Sequence, residues 1–173
     1  MFLATDVYYR DETAHVAGVA FERIDADRPE ATFTATLNGI APYEPGAFWR
    51  RELPPILHLL RIHRLQAAVL FIDGHVFLDG HRRPGLGAYL HQTLGGRIPV
   101  IGVAKNLFHG MDPACALYRG QSRRPLYVTA AGLPLARAHA LVAKMAGAGR
   151  IPAMLRLADR LSRAPTPNLP RAA

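Results

Sequence analysis

A short apolar run, Ala67–Ile72 (AAVLFI), constrains the fold of this chain more than any other stretch. Six residues are too few for an independent helix, and the valine and isoleucine favour a strand that is buried on both faces. The run ends at Asp73-Gly74, an acid followed by a turn-forming residue. In open α/β sheets, ligands gather beyond the carboxyl ends of the parallel strands. Asp73 therefore either carries chemistry at such an edge or only closes a turn, since Asp-Gly is a common turn pair.

The patterns on either side of this run predict strands followed by alternating helices and strands. Three strand candidates with short connections come first and favour an antiparallel meander. The helix after them should kink, or split into two short helices, at Pro54-Pro55, because proline cannot donate the helical hydrogen bond. The predicted elements are strands over 2–9, 14–24 and 31–37, the interrupted helix over 47–65, the central strand, a helix over 85–94, strands over 99–104 and 125–130, and helices over 135–145 and 153–161.

This order of elements resembles the ribonuclease H-like fold, in which the first strand lies beside the fourth. We therefore predict an α/β fold with a mixed sheet of five or more strands and helices on both faces. Adjacent strands lie about 4.8 Å apart, so Asp6 on the first strand and Asp73 on the fourth would be neighbours able to reach one cation. We expect one domain over residues 1–163 and a disordered, proline-containing tail over 164–173.

The charge balance narrows the class of partner. The 173 residues carry a formal net charge of +8, with 21 Lys and Arg against 13 Asp and Glu. This excess favours a polyanionic partner such as nucleic acid, or else a basic surface that only aids solubility. Only Lys105 and Lys144 are lysines, so nearly all of the positive charge is arginine, which suits bidentate contacts with phosphate.

The sequence also argues against several other classes of protein. Its single cysteine, Cys115, excludes an intramolecular disulfide and gives no zinc-finger spacing. The first residues lack the basic and then apolar pattern of a signal peptide, and no apolar run approaches the length of a membrane span. We therefore expect a cytoplasmic monomer that does not contact a membrane.

Five motifs in a fixed order resemble those of the endonuclease V family, which nicks nucleic acid near inosine. The ordered set is far more specific than any one motif, and a sixth stretch, PLYVTAAG over 125–132, matches a later family strand more weakly. The five motifs are ATDVYY around Asp6, PYEPGAFWRRE over 42–52, LFIDGH around Asp73, GHRRPGLG over 80–87 and PVIGVAKN over 99–106.

The resemblance implies a Mg²⁺-dependent endonuclease that cuts on the 3′ side of inosine or deoxyinosine, either in DNA repair or in the turnover of inosine-containing RNA. Its metal ligands would fall on Asp6, Glu52 and Asp73, and Mn²⁺ could substitute for Mg²⁺. Magnesium prefers oxygen ligands and usually takes a few carboxylates, waters and substrate phosphate. Lys105, just past a predicted strand, would neutralise charge developing on the phosphate, or it is an ordinary solvated lysine.

The same resemblance suggests how the substrate base would be held. Tyr43 falls where the family keeps a tyrosine wedge that fills the space of a displaced base, although it could equally be a loop anchor. Gly74, His75 and the loop over 80–87 would shape the inosine pocket, where glycine allows close approach of the backbone.

Three further loop residues have both functional and ordinary interpretations. His81 aligns loosely with a family histidine near the metal, and His75 competes with it for that role. A lone loop histidine is nevertheless more often a surface residue. Arg82 and Arg83 are candidate phosphate clamps or simply solvated charges.

The chain also departs from the family pattern. Family members carry a histidine directly after the glycine that follows the later strand, whereas here Leu133 follows Gly132. No acid appears between Asp112 and Asp159, so a fourth metal-site group is missing from the expected place. His139 could approach from the next predicted helix.

Two alternatives to an active nuclease therefore stay open. One is a nucleic-acid-binding relative that cuts weakly or not at all, although three carboxylates would repel one another without a cation and a pure binder would not need them. The other is an unrelated hydrolase with a compact Zn²⁺ or Mn²⁺ site made by nearby oxygen and nitrogen ligands. Its ligands would be Asp73, His75, Asp79 and His81.

Overall fold

The computed structural model describes residues 1–42, 44, 48–80 and 82–164, which contain a seven-stranded mixed sheet and four α-helices. The tail predicted over 164–173 lies, apart from its first residue, outside this range. The first three strands form the antiparallel meander that the sequence predicts: β1 (Phe2–Arg10), β2 (Thr13–Phe21) and β3 (Ala31–Asn38). The later elements are α1 (Trp49–Ile62), β4 (Val69–Asp73), α2 (Leu86–Thr93), β5 (Val100–Ala104), a 3₁₀ turn (Pro113–Cys115), β6 (Ala116–Leu117), β7 (Leu126–Ala131), α3 (Leu135–Lys144) and α4 (Ala153–Arg163).

The strand order of the sheet is β3-β2-β1-β4-β5-β7-β6. The parallel pairing of β1 with β4 confirms the predicted position of the first strand beside the fourth. Thr5 lies opposite Ile72, so the next residues, Asp6 and Asp73, sit at the same end of adjacent strands. β5 continues the parallel part of the sheet, with Val103 opposite Asp73. This layout is the ribonuclease H-like α/β arrangement that the sequence predicts.

Helices cover both faces of the sheet, and two apolar clusters form the core. Leu3 of β1 belongs to the cluster packed beneath α1 and α2, whereas Ala4, the next residue, belongs to the cluster beneath α3 and α4. Successive side chains of a strand point to opposite faces, so the central strands must be apolar on both sides. Full burial of each large aliphatic side chain contributes roughly 1.5–3 kcal/mol, and Leu70 and Ile101 are completely buried.

The split into two short helices at Pro54-Pro55 is wrong, because α1 is one helix from Trp49 to Ile62 and includes both prolines, whereas the alternative, a kink, stays a prediction. Pro55 removes the amide that would donate to the carbonyl of Arg51 one turn earlier. The hydroxyl of Tyr9 on β1 donates to that carbonyl instead, at 2.9 Å. A tertiary contact that local sequence cannot reveal therefore satisfies the group that proline leaves without a donor.

Several element boundaries also differ from the prediction. β2 ends at Phe21 rather than residue 24, because the chain turns there and Ala26 donates its amide to the carbonyl of Arg23. α4 continues two residues beyond the predicted end, to Arg163, whose guanidinium pairs with Asp159 one turn earlier. The 3₁₀ turn and β6 were not predicted, since such short segments carry no periodic pattern. Within the described residues, no helix is both long and apolar enough to cross a membrane.

Candidate active site

A cleft of about 400 Å³ opens at the carboxyl ends of β1, β4 and β5. This is the edge of an α/β sheet at which ligands gather. The strands, α1 and α4 all contribute to its walls, so the site depends on the packing of helices on both faces. The charged residues that line the cleft are Asp6, Glu52, Asp73, Lys105, Asp159 and Arg163.

Asp6 is an acid inside an otherwise apolar strand, and only 8% of it is exposed. The hydroxyl of Ser162 on α4 donates to its carboxylate at 2.5 Å. Burial raises the pKa of Asp6 to about 6, and repulsion from Asp73 and Asp159 adds to the rise, while the Ser162 hydrogen bond opposes it. A cation in the cleft would favour the ionised carboxylate and so lower this raised pKa.

Glu52 projects from the first turns of α1, on the opposite face of the sheet from α4, and is 7% exposed. Burial raises its pKa well above the ordinary value, and repulsion from Asp6 and Asp73 raises it further. The nearby Tyr9 hydroxyl and Arg51 guanidinium lower the pKa of Glu52 and partly offset these effects. The sensitivity of Glu52 to both aspartates places the three predicted ligands in one electrostatic neighbourhood.

Asp73 ends β4, and its carboxylate accepts a hydrogen bond from the Lys105 ammonium at 2.9 Å. Lys105 follows β5 directly, so the parallel pairing of β4 with β5 brings the two residues together. Burial alone would lower the pKa of Lys105, but the hydrogen bond and the charge of Asp73 raise it overall. Lys105 is therefore a fixed positive charge among the acids and not an isolated surface lysine.

Asp159 is an acid of the cleft that sequence reasoning missed, as it missed Ser162 and Arg163 on the same helix. It lies on α4 and lines the cleft, and its charge raises the pKa of Asp6. The family pattern places a fourth metal-site group directly after Gly132. In this chain α3 and the loop after it come first, and the chain returns to the cleft only on α4. His139 is not among the residues that line the cleft.

The loop after β4 is held close against the sheet by two glycines. Gly74 has a φ of +146°, which L side chains rarely adopt. A Cβ at Gly102 of β5 would overlap the Gly74 carbonyl oxygen, so a larger residue there would displace the loop. The amide of Val76 donates to Thr129 of β7 at 2.8 Å. These contacts direct His75 into the cleft.

His75 is a wall of the cleft whose ring is tied to the neighbouring loop. Its Nε2 lies 3.2 Å from the carbonyl oxygen of Asn106, and burial lowers its pKa. The ring contacts that of Phe108 edge-on, at 6.3 Å between centroids. A neutral imidazole held in this way suits contact with a base more than with a phosphate.

The two candidate clamp arginines lie outside this cleft. Arg82 stacks on the ring of Phe77 at 4.6 Å, and Arg83 lies 3.9 Å from the Asp79 carboxylate and over the ring of Phe108. Asp79 lines a different pocket from Asp73, which separates two ligands of the compact metal site considered above.

Two predicted residues, Tyr43 and His81, lie outside the described residues. The loop that carries Tyr43 has a described contact at Glu44, whose carboxylate pairs with Arg50 of α1 at 3.0 Å. This contact ties the loop to the helix that bears Glu52.

An apolar pocket of about 260 Å³ adjoins the acidic cleft and shares Phe48, Gly74 and His75 with it. Trp49, another of its walls, stacks on Tyr89 with ring centroids 4.0 Å apart. An apolar pocket with aromatic walls beside a group of carboxylates has the chemistry to stack on a base while the acids face the backbone.

The acids of the cleft fit a hard cation in type, although their side chains are paired with other groups. Across residues 1–42, 44, 48–80 and 82–164, no three His, Cys, Asp or Glu side chains are gathered so that they could hold a metal ion as they stand. Asp6 is bonded to Ser162, Asp73 to Lys105 and Asp159 to Arg163. Mg²⁺ prefers oxygen donors such as these carboxylates. A bound ion would also relieve the repulsion between them.

The sequence is similar to that of known proteins of one family. A family model described as Endonuclease V matches residues 1–121. Endonuclease V of Thermococcus kodakarensis is 31% identical over 166 residues, which cover 94% of this chain and 78% of the relative. Endonuclease V of Methanopyrus kandleri is also 31% identical, over 91% of this chain and 75% of the relative.

Solved structures give the same result for the fold. Endonuclease V of Streptomyces avermitilis superposes with a TM-score of 0.74 at 28% identity, over 94% of this chain and 79% of that one. The Ciona intestinalis enzyme, solved with a 24mer DNA containing an inosine followed by a ribo-adenosine, gives a TM-score of 0.80 at 21% identity, over 94% and 84%. The match over most of the sequence and the shared ribonuclease H-like fold lead to one conclusion: the chain belongs to the endonuclease V family.

Proposed function

We propose that this protein is a metal-dependent endonuclease that cleaves a phosphodiester bond on the 3′ side of inosine or deoxyinosine. The observation that carries the proposal is the convergence of Asp6, Glu52, Asp73 and Asp159 on one cleft beside Lys105. Family membership supports a nuclease, and the inosine-containing DNA in the Ciona complex supports the choice of base. The net charge of +8 suits a polyanionic substrate.

Mg²⁺ is the cation that this set of oxygen donors suits, and Mn²⁺ can take its place. Asp6, Glu52 and Asp73 would hold it, and Asp159 is near enough to Asp6 to take part. When bound, the ion would polarise the scissile phosphodiester. Desolvation and mutual repulsion make the ionised carboxylates unfavourable while no cation is bound. Cation binding would relieve this cost, so the cost favours binding.

Lys105 acts on the phosphate in this proposal. Its ammonium neutralises Asp73 in the present ion pair. A cation at Asp73 would take over that neutralisation and leave the ammonium to donate to a phosphate oxygen as negative charge develops there. Arg163, which pairs with Asp159 and is about half exposed, would be released in the same way at the rim of the cleft.

The base would occupy the apolar pocket beside the acids. Its aromatic walls provide stacking, and the backbone at Gly74 and the ring of His75 lie where the two cavities meet. Tyr43 remains the proposed wedge for the space that an extruded base leaves. Arg82 and Arg83 would contact phosphates of the flanking strand, since both lie away from the acidic cleft.

The test is cleavage of end-labelled single-stranded DNA and RNA, each with or without one inosine, in Mg²⁺ or Mn²⁺. Asp73→Asn should abolish cutting while binding persists, because it removes a ligand charge and keeps the shape of the side chain. Asp27→Asn is the matched control, since Asp27 is exposed and distant in the sequence from every acid of the cleft.

Each outcome has a defined meaning. A metal-dependent nick displaced to the 3′ side of inosine, absent in Asp73→Asn alone, would support the proposal. Preferential cleavage of the DNA or of the RNA oligonucleotide would assign the protein to DNA repair or to RNA turnover. Both oligonucleotides present the same base, and only contacts to the 2′-hydroxyl distinguish them. Intact oligonucleotides that still bind would favour the inactive nucleic-acid-binding relative instead.

A further inference from the structure

We propose that Tyr9 is a positioning residue for Glu52 and that its hydroxyl replaces a backbone donor that Pro55 removes from α1. The catalytic meaning of Glu52 rests on the proposed function, whereas the contacts of Tyr9 stand independently of it. Tyr9 lies on β1, three residues beyond Asp6, and therefore links the strand of one candidate ligand to the helix of another.

α1 lacks one of the backbone hydrogen bonds of a regular α-helix. In an α-helix, each carbonyl accepts from the amide four residues later, so the Arg51 carbonyl would accept from residue 55. Proline at 55 has no amide hydrogen. The Tyr9 hydroxyl approaches from β1 and donates to this carbonyl at 2.9 Å. A strand side chain thereby satisfies a polar group in the helix interior.

Tyr9 also contacts the side chain of Arg51, the residue before Glu52. The Arg51 guanidinium lies 4.0 Å from the centre of the Tyr9 ring, and the Tyr9 hydroxyl is near enough to the Glu52 carboxylate for each group to shift the pKa of the other. The two contacts with Arg51, one to its carbonyl and one to its guanidinium, fix the rotation of the turn of α1 that carries Glu52. Because Glu52 is buried, the direction of its carboxylate towards Asp6 depends on that rotation.

The backbone part is tested by a cycle of four proteins unfolded in urea with EDTA: wild type, Tyr9→Phe, Pro55→Ala and the double variant. Tyr9→Phe should lower the unfolding midpoint of the wild type. In the Pro55→Ala background the new amide can donate to the Arg51 carbonyl, so the same substitution should lower the midpoint by less than half as much. Equal losses in the two backgrounds would refute the replacement of the missing donor.

The positioning part is tested by the rise of the thermal unfolding midpoint with Mg²⁺, without nucleic acid. Tyr9→Phe should need roughly tenfold more Mg²⁺ for the same rise, as is typical when a group that orients a metal ligand is removed. The double variant should keep this raised requirement, because the new amide at residue 55 satisfies the Arg51 carbonyl from within α1 but does not restore the link from β1 to this turn. Tyr118→Phe, at a tyrosine that is 65% exposed, is the matched control.

These readouts separate this proposal from the proposed function. If the wild type fails to cut inosine strands but Tyr9→Phe shifts the Mg²⁺ titration, only the endonuclease activity is refuted. If the wild type cuts and the Mg²⁺ titration of Tyr9→Phe matches that of the wild type, the positioning role of Tyr9 is refuted. A Mg²⁺ requirement that returns to the wild-type value in the double variant would likewise refute positioning of Glu52 by the link from β1 and leave only the replacement of the backbone donor.

Discussion

The cost of keeping Asp6 ionised in a buried site gives the sharpest test of the electrostatic argument. Its pKa is about 6 in the folded protein, against 3.8 for an ordinary aspartate. Between these values the folded state binds more protons than the unfolded chain, so stability falls as the pH rises through this window and stays low above it. A difference of about 2 in pKa corresponds to about 3 kcal/mol at pH 8.

Asp6→Asn should remove this cost in metal-free protein, because the amide carries no charge and its oxygen can still accept from Ser162. The variant should be more stable than the wild type by about 1 kcal/mol at pH 4.5 and about 3 kcal/mol at pH 8. Urea unfolding followed by circular dichroism, in EDTA at both pH values, measures the difference. Loss of the Asp6 charge also relieves the repulsion that raises the pKa of Glu52, so the Glu52 contribution adds to the stabilisation of Asp6→Asn and does not oppose it.

The control is Asp27→Asn, at an exposed aspartate, whose stability relative to the wild type should not change with pH by more than a few tenths of a kcal/mol. A stability difference between Asp6→Asn and the wild type that is the same at pH 4.5 and pH 8 would refute the reasoning. So would an Asp6→Asn variant that is less stable than the wild type at pH 8, since the hydrogen bond from Ser162 would then outweigh desolvation.

Two further predictions concern residues that hold the site from behind. Ser162→Ala removes the donor to Asp6 and should raise the Mg²⁺ concentration for half-maximal cleavage roughly tenfold, while Ser162→Thr, which keeps a hydroxyl, should change it much less. Arg150 donates to the carbonyls of Lys105 and Pro125, so Arg150→Met should cost about 2 kcal/mol of stability by urea unfolding and lower kcat without weakening oligonucleotide binding. An unchanged kcat would confine Arg150 to a structural role.

The sheet and the aspartates on it follow from the sequence because each depends on a local signal plus one topological rule. The apolar run of β4 stops at Asp73, and β1 carries Asp6 as an acid inside a strand. Once β1 is placed beside β4, the parallel register fixes these two residues as neighbours. Lys105 follows from the same reasoning, since it comes directly after the next parallel strand.

Groups that depend on packing between distant elements could not be predicted in this way. α1 continues through Pro54-Pro55, and the carbonyl that Pro55 leaves without an amide donor accepts from the hydroxyl of Tyr9, on a strand more than 40 residues earlier. Arg119 is buried, and its guanidinium donates to backbone carbonyls, including that of Val142 on α3. A charged residue of this kind carries no periodic signal, because its partners are backbone groups.

The position of Asp159 bears directly on whether Leu133 indicates an inactive protein. Asp159 and Ser162 are three residues apart on α4, a spacing that places both on one helix face. Ser162 reaches the carboxylate of Asp6, so this face of the last turns is turned towards the end of β1. A carboxylate from α4 is therefore available to the cleft whatever residue follows Gly132. The absence of a histidine after Gly132 removes one possible ligand, but the cleft still has four acids. Leu133 is therefore weak ground for assigning the protein a binding role alone.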